Sequence, residues 1–244
     1  MQTAIIAHRG ASKHAPENTM PAFELAYQAG AEGIETDVQL TKDCIPVIIH
    51  DEQLRRTTNG KGLIKDYTIS ELKQLDAGSW FSAKYAGTTL LTLEEFLIWA
   101  KPKHLQLNIE LKNNKIDYPH LEAIVVDMLE AYQLTGYTTI STFNQGSVKR
   151  LRQNHPQVEI AWLTSKRRND LSSYALELGA DALHIKYRLL NRKLITNCQR
   201  DQLKVRVYTV NTAKKLSLCF RRQCHGIFTD VPAKAIKLRQ HLSH

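Results

Sequence analysis

Four short polar groups of residues close apolar runs in this chain: His8-Arg9-Gly10, Glu35-Thr36-Asp37, His50-Asp51 and Glu110-Leu111-Lys112. Such runs read as buried strands, where a charge is costly unless something compensates it. Glu35, Asp37 and Glu110 supply three carboxylates, His8 and His50 two imidazoles, and Arg9 and Lys112 two cations. Carboxylate oxygens suit a hard divalent cation. Imidazoles titrate near neutrality, so one can remove a proton while the other supplies one. Arg9 and Lys112 can offset charge that develops on a phosphate. The inventory suits metal-assisted chemistry on a phosphate, provided the chain brings the groups together.

The elements that would do so follow from periodicity. β-branched apolar runs are expected as strands at Ala4–Ala7, Gly33–Val38, Leu105–Leu111, Thr138–Phe143, Val158–Thr164, Ala182–Ile185, Val205–Val210 and Gly226–Thr229. Amphipathic segments separate them, which indicates a parallel sheet buried on both faces. The first helix is expected over Thr19 to Ala29, with Pro21 in its first turn and Gly30 beyond its end. Thr92-Leu93-Glu94-Glu95 has the form of a capping box, as does Thr68-Ile69-Ser70-Glu71. Eight such β/α repeats favour a closed barrel over an open doubly wound sheet. Residues 1–244 are therefore expected to form one domain.

One segment breaks the rhythm. Gly33–Leu40 and Pro46–His50 are joined by only Thr41 to Ile45, too few residues for a parallel crossover, so a hairpin is expected. Pairing Gln39 with Pro46 would set Glu35 opposite His50. Beyond the hairpin, about residues 51–90 hold no barrel strand and read as an insertion that caps the barrel mouth or forms a small lobe.

Within this frame Glu35 and Asp37 share a strand face, and so do Asn108, Glu110 and Lys112. Lys112 either meets a phosphate or pairs with Glu110. Asn18 and Thr19 either cap the first helix or touch a ligand. Phe143, Tyr208 and Asn211 close later strands and could line a substrate pocket, although Phe143 equally suits a core. Lys186 reads as a solvated cation, Thr229-Asp230 as structural, and the histidines other than His8 and His50 as without a role.

Composition narrows the classes. The 43% hydrophobic and 23% charged content fits a globular chain. A net charge of +9 favours anionic partners, but its clusters, Lys166-Arg167-Arg168, Arg221-Arg222 and Lys234 to Arg239, read mostly as solvated helix faces. Four cysteines without metal-ligand spacing fit free thiols in a reducing, cytoplasmic compartment. No segment reads as a signal peptide or as a bilayer span.

Read together, Ala7-His8-Arg9-Gly10, Ala15-Pro16-Glu17-Asn18-Thr19, Glu35-Thr36-Asp37-Val38, His50-Asp51 and Asn108-Ile109-Glu110-Leu111-Lys112 resemble the glycerophosphodiester phosphodiesterase family, bacterial soluble type. Arg56-Thr57-Thr58-Asn59-Gly60, Asp76-Ala77-Gly78-Ser79-Trp80, Tyr208-Thr209-Val210-Asn211 and Phe228-Thr229-Asp230 extend the resemblance over nearly the whole chain. It implies an α/β fold, a (β/α)8 TIM barrel of the phosphatidylinositol-phospholipase-C-like type, with an inserted segment after the second strand. It further implies one divalent cation, Mg2+ or Ca2+, held by Glu35, Asp37 and Glu110. His8 and His50 would be the acid–base pair, and Arg9 and Lys112 would contact the phosphate. The implied substrates are small glycerophosphodiesters, such as glycerophosphocholine and glycerophosphoethanolamine, split into glycerol 3-phosphate and an alcohol. No nucleic-acid partner or membrane insertion is expected, and the protein would be a monomer or homodimer. Cys44 stands where the family usually has glycine, and Tyr208 where many members have tryptophan. A sphingomyelinase D-like phospholipase and a non-catalytic phosphate or nucleic-acid binder are the competing classes. The first usually carries a signal peptide and disulfides, and the second needs no acid–base and metal set.

Overall fold

The computed structural model describes residues 2–242. Eight parallel strands close into a barrel: β1 (Ala4–His8), β2 (Gly33–Leu40), β4 (Gln106–Leu111), β5 (Thr138–Thr142), β6 (Glu159–Thr164), β7 (Ala182–Lys186), β8 (Lys204–Tyr208) and β9 (Gly226–Thr229). Pairing of β1 with both β2 and β9 closes the ring, and β3 (Pro46–Ile48) runs antiparallel to β2 as a hairpin. The eight expected parallel strands are all present, with ends shifted by a few residues.

Alternation along each strand divides its side chains between two environments. Ile34, Val38, Leu107, Ile109, Ile140, Leu183, Val205 and Ile227 belong to the large apolar core that includes buried helix residues such as Phe23, Phe96 and Val125. The intervening positions carry Glu35, Asp37, Asn108, Glu110, Ser141, His184 and Arg206, all buried. The barrel interior is thus largely polar, and its C-terminal end is where the chemistry-bearing residues collect.

Helices follow the strands as expected. α1 (Met20–Gln28) has Pro at its first turn, and α3 (Leu93–Ala100) begins with the Thr92/Glu95 capping box. The short α2 (Ile69–Leu72) has the Thr68/Glu71 box. The later helices are α4 (Leu121–Ala131), α5 (Gln145–Asn154), α6 (Leu171–Glu177), α7 (Arg192–Arg200), α8 (Ala213–Arg221) and α9 (Pro232–Leu242). Periodicity gives little signal for α9, because it buries only Pro232 and Ala235. Lys166-Arg167-Arg168 lies in the loop before α6, not on a helix face. The segment after β3 builds a small core of its own from Val47, Ile49, Leu54, Ile64, Leu72, Ala77 and Leu90. It is tied to the loop after β1 by Tyr85 and Arg56, which bond His14 and Glu17, and to the loop after β4 by Lys115, which bonds Glu52. It therefore stands as a side lobe on the rim of the barrel mouth.

The hairpin register differs by one residue from the expected one. Leu40 pairs with Pro46, Gln39 with Val47 and Val38 with Ile48. The cause is a three-residue turn, closed by bonds from Cys44 N and Thr41 N to the carbonyls of Thr41 and Ile45, both 3.1 Å. Cys44 takes the left-handed position at φ 60° that such a turn requires. His50 consequently does not face Glu35 across the ladder.

Candidate active site

Glu35 and Asp37 point inward from β2, and the β2–β4 register sets Asp37 beside Glu110. Ligand oxygens of the three carboxylates lie within 4.8 Å of one another. Glu35 and Asp37 are 3% and 0% exposed. Arg9 Nε lies 3.0 Å from Asp37 Oδ2, and Lys112 Nζ lies 2.7 Å from Glu110 Oε1 and 3.7 Å from Asp37 Oδ1. The Lys112–Glu110 pair is therefore present. Asn18 neither caps α1 nor faces solvent: its Nδ2 donates to Asp37 Oδ2 at 2.8 Å, while its Oδ1 accepts from Thr36. Thr19 instead bonds the carbonyl of Pro16. Gly10, at φ 81°, brings the chain against the backbone of Ala22 in α1, where a Cβ would meet its carbonyl at 2.6 Å.

The electrostatics are divided within the cluster. Burial, and then the charge of Asp37, push Glu35 well above the usual carboxylate range. Burial also opposes ionisation of Asp37, but Arg9, Lys112 and His50 outweigh it and hold that carboxyl low. Asp37 Oδ1 has no hydrogen-bond donor among the described residues. Three hard oxygen ligands, one of them without a hydrogen-bond donor and one destabilised by burial and its neighbour's charge, fit a divalent cation.

Both imidazoles are held in the same way. His8 ends β1, and its Nδ1 donates to Asp230 Oδ1 at 2.7 Å. Burial would lower the His8 pKa, but Glu35 and Asp230 outweigh it and raise it. Asn211 Nδ2 and Ser12 Oγ donate in turn to Asp230, at 2.5 and 3.2 Å. His50 Nδ1 donates to Asp51 Oδ1 at 2.6 Å. Burial opposes it, yet Arg56 and His50 bring the Asp51 carboxyl down to about 2. Arg56 also bonds Glu17, which accepts from Arg9, so one chain of ion pairs joins the side lobe to the loop after β1. In both histidines Nδ1 is occupied and Nε2 is the nitrogen left for proton transfer.

His8, Arg9, Glu35, His50, Glu110 and Lys112 line one cavity of about 350 Å3. Phe143 and Tyr208 also line it, with rings edge-on at 6.1 Å. A groove of about 420 Å3 continues from His50 and Lys112 past Lys115 and Lys166. Asn211 is not part of the cavity wall; its side chain is engaged with Thr229 and Asp230. Asp230 is more than structural, since it orients His8. Lys186 closes β7 at the cavity edge, and His184 lies on that strand at 0% exposure and lines the same cavity. His184, which the sequence left without a role, is thus part of the cavity lining. Alternation along β7, counted from Lys186, would have placed it inside the barrel. The buried Gln39 also went unassigned; its amide bonds the carbonyls of Ile49, His50 and Asp51.

An acidic triad flanked by two carboxylate-held histidines, one ending barrel strand β1 and one following the hairpin strand β3, defines a β/α-barrel enzyme of the phosphodiesterase class. A profile of the glycerophosphoryl diester phosphodiesterase family matches residues 8–234. A glycerophosphodiester phosphodiesterase of Bacillus altitudinis is 40% identical over 243 residues, covering 98% of this chain and 99% of that protein. One from Caldanaerobacter subterraneus is 38% identical, covering 98% of each. The solved structure of an Oleispira antarctica phosphodiesterase, in complex with the product sn-glycerol-3-phosphate, superimposes with a TM-score of 0.89 at 31% identity, covering 98% of this chain and 97% of that one. This chain belongs to the glycerophosphoryl diester phosphodiesterase family. All four cysteines are free, and no helix among the described residues is long and apolar enough to cross a membrane.

Proposed function

We propose that the chain, as one catalytic domain with residues 51–90 as an insertion, hydrolyses glycerophosphodiesters to glycerol 3-phosphate and an alcohol. The observation that carries this reading is the convergence of the Glu35, Asp37 and Glu110 oxygens within 4.8 Å beside two held imidazoles. The names of the Bacillus and Caldanaerobacter relatives and the product bound to the Oleispira enzyme support it.

Glu35, Asp37 and Glu110 would hold one divalent cation, Mg2+ or Ca2+. Such an ion supplies Lewis-acid polarisation of a phosphoryl oxygen and a lower pKa for a bound hydroxyl. His8 and His50 take opposite proton roles through Nε2: one accepts the proton of the attacking hydroxyl, and the other donates to the leaving alcohol oxygen. Asp230 and Asp51 keep both rings in one tautomer, and Asp230 stabilises the protonated form of His8. Arg9 and Lys112 balance the charge on the phosphate. Lys112, whose ammonium now balances Glu110, becomes available to the phosphate once Glu110 is otherwise neutralised. Phe143 and Tyr208 wall the substrate, and Asn211 acts through Asp230. Free thiols at all four cysteines support a reducing, cytoplasmic setting.

The test is a coupled assay for glycerol 3-phosphate released from glycerophosphocholine. Activity that a chelator abolishes and Mg2+ or Ca2+ restores is expected. His50→Ala should lose about 10²–10⁴-fold in rate while staying folded. Full activity in His50→Ala or in Glu35→Ala would overturn the mechanism.

A further inference from the structure

Three residues that line the cavity, outside the carboxylate, cation and acid–base set, each bury a polar atom with no hydrogen-bond partner among the described residues: Asn108 Oδ1, His184 Nδ1 and Tyr208 Oη. Leaving a buried polar atom unmet is costly, so each calls for a reason. Their hydrogen-bonding character is fixed by what stands behind them. Arg206 Nη1 lies 3.1 Å from His184 Nε2, and a guanidinium can only donate. His184 Nε2 is therefore an acceptor, and the ring proton sits on Nδ1. Arg206 is itself held by Glu159, with Nη2 at 2.7 Å from Oε1. Burial and the Arg206 charge both push the His184 pKa far down, so the ring stays neutral. The Asn108 amide nitrogen donates to Ser141 Oγ at 2.9 Å, which leaves its oxygen as an acceptor. Burial raises the Tyr208 pKa and keeps that hydroxyl protonated, able to donate and to accept.

We infer that His184 is a specificity-determining residue whose Nδ1–H, with Asn108 Oδ1 and Tyr208 Oη, receives the hydroxyl groups of an uncharged polyol portion of the substrate. A hydroxyl donates once and accepts, and one fixed donor, one fixed acceptor and one group of both kinds match a pair of hydroxyls. A phosphate would satisfy His184 but not Asn108, which needs a donor. An ammonium group would face the charge of Arg206 through His184 and that of Lys186 at the end of the same strand. Leu163 and Phe228, on the same cavity wall, suit the carbon skeleton. Glu159 and Arg206 are positioning residues: they set the tautomer and touch no substrate. This inference rests on the proposed hydrolysis, and it names the residues that would read the glycerol part of the substrate.

The test compares binding of sn-glycerol 3-phosphate and of n-propyl phosphate, which lacks both hydroxyls, to the Mg2+-loaded protein by calorimetry. Wild type should prefer glycerol 3-phosphate. His184→Phe should cut that preference about tenfold, near the upper end for one neutral hydrogen bond, with propyl phosphate binding unchanged. Tyr208→Phe, which removes one oxygen only, should cut it less and covers the case in which His184→Phe does not fold. In protein with 15N-labelled histidine, the His184 shifts should place the proton on Nδ1, and Arg206→Met should shift the tautomer balance toward Nε2–H. A preference unmoved in folded variants, or a proton on Nε2 in wild type, would overturn the inference. If the preference responds as expected but no glycerophosphodiester is cleaved, the function fails while the subsite stands. If cleavage occurs with the preference unmoved, the subsite alone fails.

Discussion

Gln39 holds the backbone of His50 from inside the barrel wall: its amide nitrogen lies 3.1 Å from the His50 carbonyl. The same nitrogen is 3.1 Å from the carbonyl of Ile49 and 2.8 Å from that of Asp51, while Tyr118 donates to its oxygen at 2.9 Å. Fully buried, this side chain replaces the strand ladder just where the hairpin register stops serving His50. Gln39→Leu should therefore displace His50, and a displacement near 1 Å costs about 10²-fold in kcat. Metal affinity, measured by calorimetry, should stay near wild type because Glu35, Asp37 and Glu110 do not use Gln39. A kcat within twofold of wild type would show that His50 needs no such support.

Asp230→Ala should cost His8 its orientation and its tautomer. The pair is separated by 222 positions in sequence and by 2.7 Å in space. Loss of a carboxylate that orients a catalytic imidazole reduces kcat by about 10²–10⁴-fold in comparable arrangements. Asn211→Ala, which removes only a donor to Asp230, should cost less. Steady-state kinetics on both variants check the order, and equal or reversed effects would separate Asn211 from this role.

What could be read in the sequence was local. Glu35 with Asp37, and Glu110 with Lys112, follow from spacing along one strand, and the Thr92/Glu95 box follows from spacing along one helix. The barrel followed from the succession of such elements. What could not be read was non-local or conditional. No spacing rule links Asp230 to His8, Gln39 to residues 49–51, or Arg206 to His184. The hairpin register depended on whether Cys44 would enter the left-handed region, a preference that its side chain does not announce. Asn211 was assigned by its place after β8, but its amide turned toward Asp230 instead of the cavity.

Glu159 makes a stability prediction with a definite sign. Its carboxylate accepts from Thr139 and Arg206, both at 2.7 Å, and pairs with Lys204. Burial opposes ionisation, but Arg206 and the other donors outweigh it and bring the folded-state value from 4.5 to about 2. A depressed carboxylate contributes stability above its unfolded pKa and loses it as pH falls through the folded one. Wild type should thus lose this contribution between about pH 4.5 and 2. His184 and His225, both packed near Arg206 or Lys204, have lowered pKa values and add their own acid destabilisation below neutrality. Glu159→Gln should be about 3 kcal/mol less stable at pH 7, because it leaves Arg206 buried without a counter-charge. Denaturant melts at several pH values should show the two proteins converging toward pH 2, and parallel curves would deny Glu159 this role.

Cys44 offers the opposite case, a residue the fold would exchange. It sits at φ 60° in the turn between β2 and β3, and its thiol is exposed and free. The left-handed region costs a residue with a Cβ about 1–2 kcal/mol, and glycine escapes that cost. Glycine also gains freedom in the unfolded chain, which offsets about 0.4–1 kcal/mol of the benefit. Cys44→Gly should therefore raise stability, by at most about 1.5 kcal/mol, without changing the turn length or the pairing of Leu40 with Pro46. Because the register is kept, Gln39 should still meet the carbonyl of His50, and kcat should be unchanged. A thermal melt paired with steady-state kinetics separates the two effects. A drop in stability would mean that the Cys44 side chain contributes more to the turn than its backbone costs.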